Sequence, residues 1–247
     1  MSERIASFDG QEIAVHRMGE GRPVLLLHGL FSSAEMNWIK YGHAAKLAEA
    51  GFECIMPDLR AHGESAKPHA ASAYPHDVLV SDTAALVQAL DLVDYDLVGF
   101  SLGARTAARA VLSGLTPRRL VLAGMGLEGL AGWDKRAAFF IDAIDRFDEI
   151  ERDDPAYFAK NFMKTMKTDR VAARHLLQSV GDTAPEALEA ISMPTAIVCG
   201  DEDRDNGSPE RLAEAIPDAE HVEVPGTHMS SVVKPELGQA IADFLSA

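Results

Sequence analysis

Short apolar runs alternate with helix-length amphipathic segments along most of the chain. Near the N-terminus, "RIASF" and "EIAVHRM" flank the turn dipeptide Asp9-Gly10 and predict a β-hairpin. Continuous apolar runs follow, typical of strands buried on both faces: "RPVLLLHG", "FECIMPD", "DYDLVGF", "RRLVLAGMG" and "TAIVCG". Helix-length segments separate these runs. Strands that alternate with helices predict a parallel sheet with right-handed crossovers, and therefore an α/β fold.

The alternation stops after Leu127 and resumes only at Met193. A gap of roughly 65 residues is too long for a structureless loop in a compact domain. Apolar residues recur in it at helical spacing, first at Phe140, Ala143, Ile144 and Phe147 and then at Phe158, Phe162 and Met166. We therefore predict two units: a core domain formed by residues 1–127 and 191–247, and an inserted helical cap formed by residues 128–190.

Composition and charge exclude some classes of partner. The 247 residues are 47% hydrophobic and 25% charged, as in an ordinary soluble globular protein. The formal net charge of −15 argues against nucleic acid or an anionic membrane as a partner, because both attract basic surfaces. The sequence has no signal-peptide or membrane-spanning pattern, so we expect a cytoplasmic protein. No pattern indicates an oligomeric state.

The sequence indicates neither a metal nor a cofactor. Cys54 and Cys199 lie in apolar runs, which predicts small buried side chains rather than a disulfide or metal ligands. No cluster of histidine, cysteine and carboxylate residues has the spacing of metal ligands.

Ser101 lies where the apolar run "LVGF" meets an alanine-rich helical segment. This junction is at the carboxyl edge of the predicted sheet, where open α/β sheets bind ligands. A very tight turn would expose the serine hydroxyl and would require glycine two positions away on each side, as at Gly99 and Gly103. The helix N-terminus supplies free N–H groups, of which that of Leu102 is best placed. The alternative is a serine that only caps an ordinary helix.

A nucleophilic serine needs a base and a carboxylate that orients the base. His228 follows the last predicted strand, and Asp203 follows the strand before it, so both lie at the same sheet edge. Asp201 and Asp205 compete with Asp203 for the role of the acid. A second N–H donor for an oxyanion is available at Leu30, after the turn His28-Gly29.

These motifs together resemble the α/β-hydrolase fold superfamily over nearly the whole chain. "HGLF", "DLRAHGES", "GFSLG", "GDED" and "GTH" occur in the order and at the spacings usual in that family. The resemblance implies an eight-stranded, mostly parallel sheet whose first strands form a hairpin, with an inserted helical cap. It also implies a triad of Ser101, His228 and Asp203 and an oxyanion hole formed by the N–H groups of Leu30 and Leu102.

Two positions depart from the family pattern, since Ala61 and Thr227 replace glycines that are usual there. Neither touches a reacting group, so only local loop geometry is affected. In "DLRAHGES", the resemblance gives Asp58, Arg60 and His62 structural rather than catalytic roles. Haloalkane dehalogenases and epoxide hydrolases of similar layout have aspartate as the nucleophile, so Ser101 argues against both activities.

The resemblance favours a serine esterase that hydrolyses small-molecule carboxylic esters with a short, medium-length or aromatic acyl group. Apolar side chains near the predicted loops or in the cap are candidates to line the acyl pocket: Phe31, Trp38, Met125, Trp133, Phe139 and Met229. Each of these side chains has the alternative role of holding the cap to the core domain.

Other chemistries use the same triad and fold. They are carbon–carbon bond hydrolysis, lactone or thioester hydrolysis, hydroxynitrile lysis and perhydrolysis. Carbon–carbon hydrolases often have Asn before the serine and Trp after the histidine, where this chain has Phe100 and Met229. A ligand receptor without turnover is a more distant alternative, which rates above about 1 s⁻¹ would exclude.

Overall fold

The computed structural model describes residues 2–247 and has one eight-stranded sheet. The order of the strands across the sheet is β1-β2-β4-β3-β5-β6-β7-β8. The strands are β1 (Glu3–Ala6), β2 (Glu12–Met18), β3 (Arg22–Leu27), β4 (Phe52–Pro57), β5 (Asp96–Phe100), β6 (Leu120–Ala123), β7 (Thr195–Gly200) and β8 (Glu220–Val224).

Only β2 runs against its neighbours. It pairs antiparallel with β1 and with β4, whereas every other pairing in the sheet is parallel. Gly10, at φ +82°, forms the β1–β2 turn. The prediction of an α/β fold with a mostly parallel eight-stranded sheet and an N-terminal hairpin is therefore confirmed.

Helices cover both faces of the sheet. They are α1 (His43–Glu49), α2 (Val78–Ala89), α3 (Leu102–Leu112), α4 (Leu127–Ala131), α5 (Trp133–Asp145), α6 (Tyr157–Thr165), α7 (Arg170–Ser179), α8 (Pro209–Ala215), α9 (His228–Ser231) and α10 (Pro235–Ser246). Among these helices of residues 2–247, none has the length and apolar character that a bilayer crossing requires. The cytoplasmic location expected from the sequence stays a prediction.

The alternation of side chains along β3 divides the hydrophobic interior into two cores. Leu25 and Leu27 point to the core that contains α2, α3 and the inserted helices, whereas Val24 and Leu26 point to the core beneath α1 and α10. All four side chains are fully buried. This is the pattern of a parallel strand covered by helices on both faces.

Helices α4 to α7 and a short 3₁₀ turn, Pro185–Ala190, lie between β6 and β7, where the sequence predicts a cap. The division of the chain into two units at residues 127/128 and 190/191 stays a prediction. Helix α6 includes Phe158 and Phe162, two of the apolar residues found at helical spacing, but Phe158 is 85% exposed. The buried side chain of α6 is Met163.

Trp38 is wrongly predicted to line the acyl pocket. It lies in a π-helical turn, Glu35–Ile39, and its side chain is fully buried in the core beneath α1 and α10. Its ring makes an edge contact with that of His43, with the centroids 6.4 Å apart. Spacing along the chain places Trp38 near the site, but the turn directs its side chain to the opposite face of the sheet.

Candidate active site

Ser101 occupies a strained turn between β5 and α3. Its backbone is at φ +54° and ψ −112°, a conformation that residues with a side chain rarely adopt. Its side chain makes no capping hydrogen bond with α3. The alternative of an ordinary serine N-cap therefore does not describe this residue.

The two glycines of the turn lie where backbone meets backbone. A Cβ at Gly99 would collide with the carbonyl group of Gly103, and a Cβ at Gly103 would collide with the carbonyl group of Leu27 at the end of β3. The expectation that no side chain fits two residues from Ser101 thus has its physical cause in the close approach of α3 to the sheet.

The structure brings Ser101, His228 and Asp203 into one hydrogen-bonded chain. His228 Nε2 lies 3.0 Å from Ser101 Oγ, and His228 Nδ1 lies 2.8 Å from Asp203 Oδ2. All three residues are buried, with Asp203 only 2% exposed. Each comes from a different loop at the carboxyl edge of the sheet, as the sequence analysis expected.

Of the three candidate acids, only Asp203 hydrogen-bonds to His228. Burial alone would raise the pKa of the Asp203 carboxyl, but the hydrogen bond and charge of His228 and the N–H of Asp205 hold that pKa below its usual value. The Cys199 thiol also donates to Asp203 Oδ2, across 3.6 Å. Asp201 instead accepts from the N–H of Gly226, and Asp205 is exposed.

His228 is the first residue of α9, and Thr227 caps this helix. The Thr227 hydroxyl accepts from the N–H of Ser230, and the Ser230 hydroxyl accepts from the N–H of Thr227. The residue that replaces the family's glycine therefore fixes the start of the helix that carries the histidine. Phe100 lies against the imidazole on the sheet side, with ring centroids 5.1 Å apart.

The N–H groups of Leu30 and Leu102 are available for an oxyanion. Within residues 2–247, neither donates to another group. The N–H of Gly29 is already taken, because it donates to Asn37 Oδ1 at 3.0 Å. The two loops are adjacent: a Cβ at Gly29 would lie 3.6 Å from the Cβ of Ser101.

Two buried histidines bracket the loop that carries Leu30. His28 Nε2 accepts from the N–H of Leu59 at 2.9 Å, and His62 Nε2 accepts from the N–H of Phe31 at 2.9 Å. An accepting nitrogen is unprotonated, so both rings are neutral. Burial lowers the pKa of His28, and it lowers the pKa of His62 to about 3.

A cavity of about 640 Å³ opens above Ser101. Five of the six predicted pocket residues line it, namely Phe31, Met125, Trp133, Phe139 and Met229; Trp38 does not. Ser101, His228, Leu30 and Leu102 also line it. The exposed rings of Phe139 (41%) and Phe158 (85%) make its rim apolar.

Sequence analysis missed several residues that line the cavity. They include Asn37, Arg105, Arg136, Phe140, Phe162 and Asn206. The two phenylalanines belong to the helical spacing noted in the insertion, but that spacing does not show which side of a helix faces a cavity. The charged and amide residues have no local signal, because such side chains are normally expected in solvent.

A possible metal-binding group lies elsewhere on the molecule. Glu210, His221 and Glu223 place their ligand atoms within 4.8 Å of one another, and none of the three lines the cavity. The two cysteines, Cys54 and Cys199, are buried and unpaired.

Comparisons with known proteins agree with this architecture. Residues 22–124 match the family model of the α/β-hydrolase fold. The chain is 28% identical over 228 residues to a putative non-heme chloroperoxidase of Synechocystis sp., with 78% of each chain covered, and 28% identical over 228 residues to a non-heme haloperoxidase of Rhodococcus erythropolis, with 81% of each covered. An esterase from Exiguobacterium antarcticum superposes with a TM-score of 0.82 over 100% of both chains at 21% identity.

The bracketing histidines predict a loss of stability in acid. Between its folded pKa of about 3 and its unfolded value of 6.5, His62 binds a proton only in the unfolded chain, so the free energy of unfolding falls as pH falls. This group alone lowers it by about 2 kcal/mol between pH 7 and pH 5. Urea unfolding of wild type and His62→Gln at these two pH values measures the effect. The fall should be smaller in the variant, and an equal fall in both proteins would contradict a neutral His62.

Proposed function

Because the chain belongs to the α/β-hydrolase fold superfamily of enzymes, we propose that it hydrolyses small-molecule carboxylic esters through Ser101. The observation that carries this proposal is the hydrogen-bonded chain from Ser101 through His228 to Asp203, next to two uncommitted N–H groups, at the base of an apolar cavity. This arrangement provides the nucleophile, base, orienting acid and oxyanion donors that acyl transfer requires.

Acylation begins when Ser101 Oγ attacks the acyl carbon and its proton passes to His228 Nε2. The carbonyl oxygen becomes an oxyanion, which accepts from the N–H groups of Leu30 and Leu102. Asp203 keeps the proton of His228 on Nδ1 and stabilises the imidazolium that forms. The ester C–O bond then breaks, and the alcohol leaves with the proton from Nε2.

Deacylation repeats these steps with water as the nucleophile. His228 accepts a proton from water as its oxygen attacks the acyl-enzyme, and it returns a proton to Ser101 Oγ when the acid leaves. The positive dipole end of α3 lies beneath the oxyanion in both steps and favours its charge.

The residue types around the cavity favour ester chemistry over two alternatives. The serine nucleophile supports acyl transfer over the opening of an epoxide. Phe100 and Met229 occupy the positions at which carbon–carbon hydrolases often have Asn and Trp, and Met229 is 55% exposed at the rim. The apolar lining suits an acyl chain or an aromatic ring.

Ser101→Ala should lower turnover of p-nitrophenyl esters by about six orders of magnitude, because members of a triad act as a unit. The measurement compares wild type and variant on esters from acetate to decanoate. A chain-length optimum in the wild type would report the reach of the cavity. A pure variant that keeps more than a few per cent of the wild-type rate would refute Ser101 as the nucleophile.

Asp203→Asn should lower kcat by about four orders of magnitude, because the amide favours the wrong tautomer of the imidazole. Asp205→Asn is the matched control, since Asp205 touches Asp203 only through its backbone N–H. Steady-state kinetics on the best p-nitrophenyl ester should leave this control within about threefold of wild type, well under the ~1.4 kcal/mol of a tenfold change. The reverse ranking of the two variants would assign the acid to Asp205.

Perhydrolysis is a second candidate, favoured by the two haloperoxidase relatives that match 78% and 81% of the chain. Hydrogen peroxide would replace water in deacylation: its oxygen attacks the acyl carbon, the bond to Ser101 breaks, and a peroxyacid leaves. Ethyl acetate with added peroxide tests this, with wild type and Ser101→Ala compared. A Ser101-dependent product ratio of peroxyacid to acetic acid that exceeds the molar ratio of peroxide to water would identify a perhydrolase. If no peroxyacid forms, only hydrolysis remains as the activity.

A further inference from the structure

Among residues 2–247, one partly buried cation on the cavity wall forms no ion pair with a carboxylate. In the described part of the chain, five charged residues line the cavity: Arg105, Glu128, Lys135, Arg136 and Asp205. Lys135 and Asp205 are exposed, so water solvates them. Glu128 pairs with Arg211 and also accepts from the N–H of Ser208.

Arg105 is buried, but protein groups already engage its guanidinium. Nη1 donates to the carbonyl of Gly181 at 2.6 Å, and Nη2 donates to the carbonyls of Gly129 and Leu130. The guanidinium also lies over the Trp133 ring, 4.9 Å from its centroid. Arg105 therefore holds the inserted helices against α3 and has little capacity left for a ligand.

Arg136 is different. It is half-buried on α5, and its only recorded hydrogen bond within residues 2–247 is from Nη1 to the carbonyl of Asp205, at 2.7 Å. No carboxylate oxygen of the described chain lies within 4 Å of it. Phe140 lies below the guanidinium, with its ring centroid 5.6 Å from Cζ. The other N–H groups of the guanidinium have no protein acceptor within residues 2–247, and the side chain lines the cavity.

An unpaired cation in such a place is costly. Burial lowers the pKa of Arg136, and the nearby charges of Asp205 and Asp203 offset this only in part, so the site disfavours its charged form. Trp133, Arg136 and Phe140 recur at i, i+3 and i+7 on α5, so one face of the helix presents a single cation between two aromatic rings. A ligand carboxylate would supply the missing charge through the paired N–H···O bonds that a guanidinium forms.

The charge of the whole chain makes this local cation more significant. With a formal net charge of −15, the protein repels anions at long range, and this repulsion opposes the binding of an anionic substrate unless a fixed cation inside the cavity offsets it. We propose that Arg136 binds a free carboxylate of the substrate, so that the preferred esters are monoesters of dicarboxylic acids or similar carboxylate-bearing esters. This inference names the substrate class of the proposed esterase site and rests on that proposed function.

Binding to the Ser101→Ala protein tests the inference without any chemical step. Titration calorimetry would compare monoethyl with diethyl esters of succinate, glutarate and adipate, which differ in one negative charge. The best monoethyl ester should bind about ten- to hundredfold tighter than its diethyl partner. Adding Arg136→Gln should abolish the difference, and Arg136→Lys should restore part of it.

Arg152→Gln is the matched control, because it removes the same charge from an exposed arginine of the insertion that does not line the cavity. The preference should persist in this variant. Equal affinity for mono- and diesters, no binding of any monoester, or a preference that survives Arg136→Gln would overturn the inference. Loss of both affinities together in Arg136→Gln would also overturn it, by giving Arg136 a structural role.

Measuring ester hydrolysis by the wild type distinguishes failure of the Arg136 inference from failure of the proposed esterase function. Ser101-dependent hydrolysis of neutral esters without a preference for monoesters would leave the esterase standing and refute the role of Arg136. Carboxylate binding in Ser101→Ala without hydrolysis of any ester by the wild type would keep the anion site and refute the esterase.

Discussion

The close approach of α3 to the end of β3 is the constraint on which the site depends. Gly103 lies against the carbonyl of Leu27, and a single residue, Ser101, connects the end of β5 at Phe100 to the start of α3 at Leu102. The chain makes this turn by placing Ser101 at φ +54°, a strain of about 1–3 kcal/mol that tight packing on both sides maintains. The same geometry aims Oγ at His228 and leaves the N–H of Leu102 without a partner.

Around this turn, the buried polar groups form a network in which nearly every member has a defined partner. Asp203 accepts from the imidazole of His228, the N–H of Asp205 and the thiol of Cys199, so a 2% exposed carboxylate remains ionised. The neutral rings of His28 and His62 hold the Leu30 loop against the loop after β4, because each ring accepts a backbone N–H of the other loop. Satisfied networks of this kind are rigid, which is what preorganised oxyanion donors require.

Sequence patterns were sufficient for features whose cause is local along the chain. Buried strands produce continuous apolar runs, and Gly99 marks a backbone collision with Gly103 only four residues further on, although Gly103 itself avoids the distant carbonyl of Leu27. The prediction that Trp38 lines the pocket is wrong because its position near the Leu30 loop does not indicate to which face of the sheet a π-helical turn directs its side chain.

The sequence does not predict Arg136 as a cavity-lining residue, for a different reason. A lone arginine on an amphipathic helix has the pattern of a solvated side chain, and only the tertiary placement of α5 puts it over the cavity. The same limit applies to Thr227, whose capping role depends on where the chain turns into α9. Local sequence thus predicts the nucleophile and the glycines beside it better than it predicts which side chains line the cavity and select a substrate.

Arg136 is held by the loop that carries the acid of the triad. Its Nη1 donates to the carbonyl of Asp205, and the N–H of the same residue donates to Asp203. The charges of Asp205 and Asp203 favour the charged form of Arg136, although burial disfavours it more strongly. The proposed carboxylate site and the acid of the triad are therefore neighbours, because one short loop both orients His228 through Asp203 and holds the guanidinium that would bind the substrate.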